Sequence, residues 1–214
     1  MGTHSPGMAR LFIMRHGETV FNAARRLQGE EAHTPLTRQG VEQALAMGAV
    51  LRGALDGPAG AVLHASDTGR ALQTAALVAE IAGLDWFAAR RSPLLRELGM
   101  GQWGGRPYAE VIAEQGPIID ADHLLRPAPD GEDYPALAAR LGRWLTQAAP
   151  HSGDHVIVAH GLTTRVLRGL LTGTPLHPTY AAPIAPGLTQ GSIVVIENGV
   201  ERVLHGAETG VLHA

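Results

Sequence analysis

The sequence predicts an α/β fold: a three-layer α/β/α sandwich around a mostly parallel sheet, with a small inserted cap. Three observations predict it. Apolar runs suited to buried strands alternate with segments of helical periodicity, which favours parallel strands joined by helical crossovers. The two most apolar runs, from Leu11 and from His155, both end in a histidine followed by glycine, His16-Gly17 and His160-Gly161. From Pro93 to Pro129 the periodicity gives way to a stretch rich in Gly and Pro, read as a cap insertion over about residues 98–130. With 214 residues and 45% hydrophobic content the chain fits one domain, 9–214, carrying that insertion, after a disordered extension at 1–8.

Taken in order, the first strand runs from Leu11 to the charged pair Arg15-His16, where Gly17 lets the backbone turn sharply and approach a ligand. Ligands of open α/β sheets gather at the carboxyl ends of strands, so a cation beside an imidazole there suggests anion chemistry. Thr19 or Asn22 is placed to cap a short helix, Val20 to Leu27, and a polar loop over 28–35 follows. Thr37 caps a second helix that carries Val41, Ala44, Leu45, Gly48 and Arg52 on one face, and Gly57-Pro58 ends it. Ala61–Ala65 is the second strand, and Ser66 or Asp67 caps a helix through Glu80 with Arg70 in its first turns. Trp86–Ala88 is a weak third strand, and within the cap only Tyr108 to Glu114 is helical. Gly131 to Ala149 forms a helix striped by Leu137, Leu141, Trp144 and Leu145. His155–Ala159 is a strand, Leu162 to Leu171 a helix, and 175–186 a Pro-rich loop. Ser192–Ile196 and Val200–His205 make a hairpin through Asn198-Gly199. The strands that precede His16 and His160 are expected side by side, so that both imidazoles face one ligand.

Composition excludes several functions. A net charge of -3 gives no general affinity for nucleic acid or anionic membrane. No apolar run is long enough to span a bilayer, and Met1 to Gly7 lacks the basic start and apolar core of a secretion signal, so a cytoplasmic location is expected. Those first residues read as a frayed extension, in part a cloning remnant. The absence of Cys removes disulfides, thiolate nucleophiles and Cys-ligated metals. All 17 basic residues are Arg, so Schiff-base chemistry and the phosphate-loop lysine are absent as well. An anion here must be held by Arg, His, amides or a metal.

Four ordered segments carry the chemistry: Arg15-His16-Gly17-Glu18-Thr19; Ser66 with Arg70-Ala71 and Thr74; Leu95-x-Glu97 followed by Gly101-x-Trp103-x-Gly105; and His160-Gly161. Together they closely resemble the histidine phosphatase superfamily, the phosphoglycerate mutase-like family, over nearly the whole chain. The resemblance implies His16 as a nucleophile that becomes a phosphohistidine, with Arg15 and Arg70 clamping the phosphoryl oxygens through bidentate guanidinium forks. It implies His160 as a donor to the same oxygens and Glu97 as the general acid, its enclosure favouring the protonated form. Asn22, Gln28, Gly29 and Gly161 are expected to complete the phosphate and substrate site, and Arg26, His33, Trp103, Arg106 and Tyr108 to face the pocket. With charge offset by Arg and His, no metal and no cofactor is needed. The expected partner is a small phosphorylated metabolite, not nucleic acid or membrane, and a homodimer is allowed for.

Taken singly, each of these residues has an ordinary reading. Glu97 beside Arg96 suits a surface ion pair, His160 a helix cap, and Arg70 a solvated helix residue; the joint pattern outweighs them. Pro117–Asp122 imitates the two-aspartate nucleophile of haloacid dehalogenase-type phosphatases, but the lysine of that family is missing and the aspartates read as solvated cap. His151 and His155 lack a carboxylate at ligand spacing, and no Gly-x-Ser-x-Gly elbow exists. Two functions compete with phosphomonoester hydrolysis: a cofactor-dependent phosphoglycerate mutase, and a non-catalytic phospho-ligand or protein-binding module. In the mutase branch Glu is typically followed by Arg and an aromatic, whereas Glu97 precedes Leu98, Gly99 and Met100, and Gly101–Gly105 resembles the phosphatase branch.

Overall fold

A computed structural model of the chain describes residues 9–57, 60–148 and 152–206. The extension at 1–8, Pro58 of the helix break, the end of the helix at Ala149, and His151 lie outside the described residues.

Burial explains the strand sequences. β1 (Arg10–Arg15) is covered on both faces, so its run Leu11–Met14 is continuously apolar instead of alternating. Leu11 and Ile13 enter one core, while Phe12 and Met14 enter the other. Around it stand β2 (Val62–Ser66), β3 (Arg90–Ser92), β4 (Asp154–Ala159), β5 (Ile193–Glu197) and β6 (Val200–His205), in the order β3-β2-β4-β1-β5-β6. β1, β2, β3 and β4 are mutually parallel, β5 runs antiparallel to β1, and β6 returns antiparallel to β5. One strand of six opposes the rest, so the sheet is mixed and mostly parallel.

Helices cover both faces. On one side lie α2 (Arg38–Ala54) and α3 (Gly69–Ala82), whose facing positions are small enough for close packing: Ala44 on α2, and Ala71, Ala75 and Ala79 on α3. On the other lie α5 (Tyr134–Ala148) and α6 (Gly161–Thr172), which bury Leu137, Leu141, Trp144, Val166 and Leu167 against the sheet. The segment 98–130 contains a 3-10 turn at Gly101–Trp103 and α4 (Tyr108–Gln115). Its Trp103, Val111, Ile118, Leu124 and Leu125 enter the same core as α5 and α6. No described helix is long and apolar enough to cross a membrane.

Several elements depart from expectation for local reasons. Trp86–Ala88 is a turn, because the Asp85 carboxylate accepts the N–H groups of Phe87 (2.8 Å) and Ala88 (3.4 Å); the edge strand forms later, at β3. α1 (Val20–Ala23) is a single turn closed by a capping box between Thr19 and Asn22, and Arg25 then takes φ 51°, which ends the helix before Leu27. α3 starts after Thr68, capped by neither Ser66 nor Asp67, since both side chains are recruited elsewhere. Thr37 does cap α2, accepting from the Gly40 N–H (3.1 Å). The terminal hairpin turns through Asn198 (φ 53°) and Gly199 (φ 75°), the positive-φ pair a tight hairpin needs.

Candidate active site

Because β1 and β4 are parallel neighbours with Arg15 opposite Ala159, the residues that follow them emerge side by side. The His16 N–H donates to the Ala159 carbonyl (3.0 Å), which extends the ladder one step past the strand. The His16 and His160 rings therefore stand edge to face, with centroids 5.2 Å apart. His16 Nδ1 lies 2.8 Å from the Gly17 carbonyl, which can only accept, so Nδ1 carries the proton and Nε2 keeps its lone pair. Burial, followed by the charges of Arg70 and Arg15, holds this imidazole well below its ordinary value, so it is neutral at physiological pH. Gly17 is required by the packing behind it. A Cβ there would lie 2.3 Å from the Gly40 carbonyl oxygen, where the first turn of α2 presses on the loop.

His160 sits differently from expectation. It accepts at Nδ1 from Arg70 Nε (3.2 Å), so its proton is on Nε2, 2.8 Å from Ser66 Oγ. Both ring nitrogens are engaged, and the imidazole orients Arg70 instead of pointing a free N–H at a phosphoryl group. Nor does its side chain cap α6. Arg70 is fully buried, and burial brings its guanidinium down to about 10. Besides His160 it donates to the carbonyls of Glu31 (2.7 Å) and Gly29 (2.7 Å) and to Thr34 Oγ1 (3.2 Å). That leaves a single N–H of Arg70 for a ligand, so the expected bidentate fork from this residue is not available in this arrangement.

Glu97 is taken up by the start of α6. Its Oε1 accepts from the N–H groups of Leu98 (2.9 Å) and Thr163 (3.0 Å), and its Oε2 from that of Leu162 (3.1 Å). Glu97 thus supplies the cap that His160 does not, its side-chain oxygens accepting from the amides at the start of α6. Arg96 is turned away and pairs with Asp67 through two 2.7 Å bonds, so no Arg96–Glu97 surface pair forms. Arg140 on α5 holds the segment from behind, donating to the carbonyls of Leu94 (2.8 Å), Arg96 (3.0 Å) and Glu97 (3.3 Å).

Arg15, His16, Arg70 and Glu97, with Gln28 and Gly29, line one cavity. A family model for the histidine phosphatase superfamily (branch 1) matches residues 11–208. The chain belongs to the histidine phosphatase superfamily. It is 32% identical over 178 residues to a probable phosphoglycerate mutase of Yersinia pestis, covering 79% of this chain and 78% of that one. Among solved structures it resembles a putative alpha-ribazole-5'-P phosphatase from Escherichia coli (TM-score 0.70, 25% identity, 96% of this chain and 98% of the other). It also resembles a mycobacterial glucosyl-3-phosphoglycerate phosphatase solved with VO3 (TM-score 0.72, 27% identity, 95% of this chain and 99% of the other).

Within this superfamily member the remaining expected residues divide. Gly161 lines the cavity at the first turn of α6, where a Cβ would meet Arg15 Cζ at 3.4 Å and Glu97 Oε2 at 3.5 Å. Gly29 takes φ 50° and a Cβ there would lie 2.5 Å from Met100 Cγ, so a side chain does not fit. Asn22 is buried in the capping box, its Oδ1 accepting from Gln190 Nε2 (2.7 Å), and it lies outside the cavity's lining. Of the five residues expected to face the pocket, Tyr108 does; Trp103 is in the core, Arg26 donates to the Gly105 carbonyl, Arg106 pairs with Glu114 and His33 is exposed. Met100 and Leu162 line the cavity without a sequence signal, since nothing about an apolar residue after Glu97 or His160 marks it as wall and not core. Asp120 accepts from the N–H groups of Leu124 (2.9 Å) and Asp122 (3.0 Å) and shapes a loop, consistent with a structural role. His155 Nδ1 meets His64 Nε2 at 3.1 Å, and no group of three or more metal-ligating residues exists among the described residues.

Proposed function

We propose that this protein is a phosphomonoesterase that acts through a phosphohistidine at His16 on a small phosphorylated metabolite. The observation that carries this reading is the His16 tautomer: Nδ1–H is tied to the Gly17 carbonyl, which leaves a neutral, nucleophilic Nε2 in a cavity walled by Arg15 and Arg70. In the first step Nε2 attacks phosphorus, the ester P–O bond breaks, and Glu97 gives a proton to the departing alkoxide. In the second step water attacks the phosphohistidine, the P–N bond breaks, and Glu97 takes the proton back. The two guanidiniums balance charge on the transferring group, so the reaction needs no metal.

The test is p-nitrophenyl phosphate hydrolysis in EDTA. Turnover is expected to persist with chelator and to vanish in His16→Ala; near-normal activity in that variant removes the nucleophile from the scheme. A mutase is the second reading, favoured by the name carried by the Yersinia relative. It predicts isomerisation of 3-phosphoglycerate with a bisphosphate primer that outpaces phosphate release, and that result would replace hydrolysis as the main activity.

A further inference from the structure

The walls of the cavity bear on what the phosphate is esterified to. Two cations line it, Arg15 and Arg70, and both act on His16, whose proton affinity each depresses; both therefore belong to the phosphoryl end. Arg70 has one N–H left after its four protein contacts. Apart from these cations, His16 and Glu97, the described lining is Gln28, Gly29, Met100, Tyr108, Gly161 and Leu162, with no further cation. The Tyr108 hydroxyl is buried and has no hydrogen-bond partner, an unfavourable state for a phenol unless a ligand supplies one. It lies within electrostatic reach of Arg15 and of Glu97, the carboxyl proposed to protonate the departing alcohol.

Past Gln28 and Met100 the cavity adjoins a groove that those two residues also line, together with Glu30, Glu31 and Gly104. Both glutamates are exposed. They overhang the segment that follows Glu97: a Cβ on Gly99 would stand 3.7 Å from Glu30 Oε2, and one on Gly105 would stand 3.5 Å from Glu31 Oε1. Among the described residues no cation lines the groove. Arg96, whose charge is coupled to Glu30, is paired with Asp67, and Arg25, whose charge reaches Tyr108, lines neither space.

We propose that the site selects phosphomonoesters of uncharged, hydroxyl-bearing or cationic alcohols, with Tyr108 hydrogen-bonding the alcohol and Glu30 and Glu31 disfavouring a carboxylate or second phosphate. The proposal rests on the phosphomonoesterase reading and names its substrate class. Tyr108 and the two glutamates are specificity-determining residues in it, separate from the groups that transfer the phosphoryl.

A matched pair of substrates tests it. Glycerol 3-phosphate and 3-phosphoglycerate share a skeleton and differ by a hydroxymethyl against a carboxylate. The expected result is a higher kcat/KM for glycerol 3-phosphate, by on the order of tenfold at low ionic strength, shrinking as salt screens the exposed carboxylates. That preference should collapse in Glu30→Gln/Glu31→Gln. In Tyr108→Phe the kcat/KM ratio of glycerol 3-phosphate to ethyl phosphate, which has no second hydroxyl, should fall about 3- to 10-fold, the worth of one hydrogen bond. These ratios do not depend on how much of a variant folds. Preference for 3-phosphoglycerate in the parent, or a ratio unmoved by the double substitution, overturns the proposal while p-nitrophenyl phosphate turnover leaves the phosphatase reading standing. Failure to hydrolyse any of these esters overturns both.

Discussion

At the scale of the residue, the arrangement is set by which nitrogen holds which proton. His16 is kept neutral by burial and by its two guanidinium neighbours, so its reactivity should survive acidification that silences an ordinary imidazole. Phosphorylation of His16 by p-nitrophenyl phosphate, followed by rapid quench, is expected to persist well below pH 6.5, the ordinary value. Arg70→Met removes one of the charges that lowers it and should move the acid limb toward higher pH; an unmoved limb would mean that the Arg70 charge does not govern His16. Glu97→Gln separates acid catalysis from binding. It keeps size and leaves one oxygen to accept from the α6 amides, but loses the transferable proton, so alkyl phosphates should slow by ~10²–10⁴-fold. p-Nitrophenolate leaves unaided, so phosphorylation by its ester should suffer much less and phosphoenzyme should accumulate as a burst. Equal losses on both esters without a burst would reduce Glu97 to a positioning role. The side chains named from sequence as Arg15, His16, Arg70, Glu97 and His160 do converge, because strand ends and a helix start announce themselves in pattern. Their division of labour was not readable there. Nothing in Ser66 or Gly29 as letters tells that they occupy His160 and Arg70.

At the scale of the element, the contacts behind the site decide how firmly it is held. The first turn of α2 meets the loop after His16 backbone to backbone, and a Cβ on Gly40 would stand 2.0 Å from the Glu18 carbonyl oxygen. Gly40→Ala should therefore cost about 1–3 kcal/mol, read as a lower urea midpoint, and reduce turnover by displacing the nucleophile's loop. An unchanged midpoint would show that α2 slides away freely. The strands were readable because β1 and β4 are buried on both faces and so carry unbroken apolar runs, Leu11 to Met14 and Val156 to Ala159. The edge was not. β3 begins with two exposed arginines, and the aromatic pair just before it is held in a turn by Asp85, so side-chain hydrogen bonding outweighed strand propensity. Caps failed in the same way, with Ser66 and Asp67 drawn off by distant partners that spacing along the chain does not reveal.

At the scale of the molecule, burying several imidazoles ties stability to pH. His64 is brought down to about 4 by burial, then by His155 and Arg90, and His16, His155 and His160 are also lowered from 6.5. Each is neutral when folded and protonated more readily when unfolded. Between the folded value and 6.5 the unfolded chain binds more protons, so this part of the stability is complete above 6.5 and is lost as pH falls. Urea midpoints should decline from pH 6.5 to about 4, and His64→Gln should flatten the decline; a flat parent profile would sink the idea. The sheet has a quieter consequence. Arg15 and Ala159 are register partners, so the gap between the two imidazoles is inherited from the spacing of neighbouring strands, about 4.8 Å, and the rings stand 5.2 Å apart. The tolerance of the chemistry is thereby delegated to main-chain amides, which every residue type but proline carries as donors. Substitution elsewhere in the sheet can be extensive without detuning the distance that matters, whereas a slip of one residue between β1 and β4 would separate the pair while every side chain stayed intact.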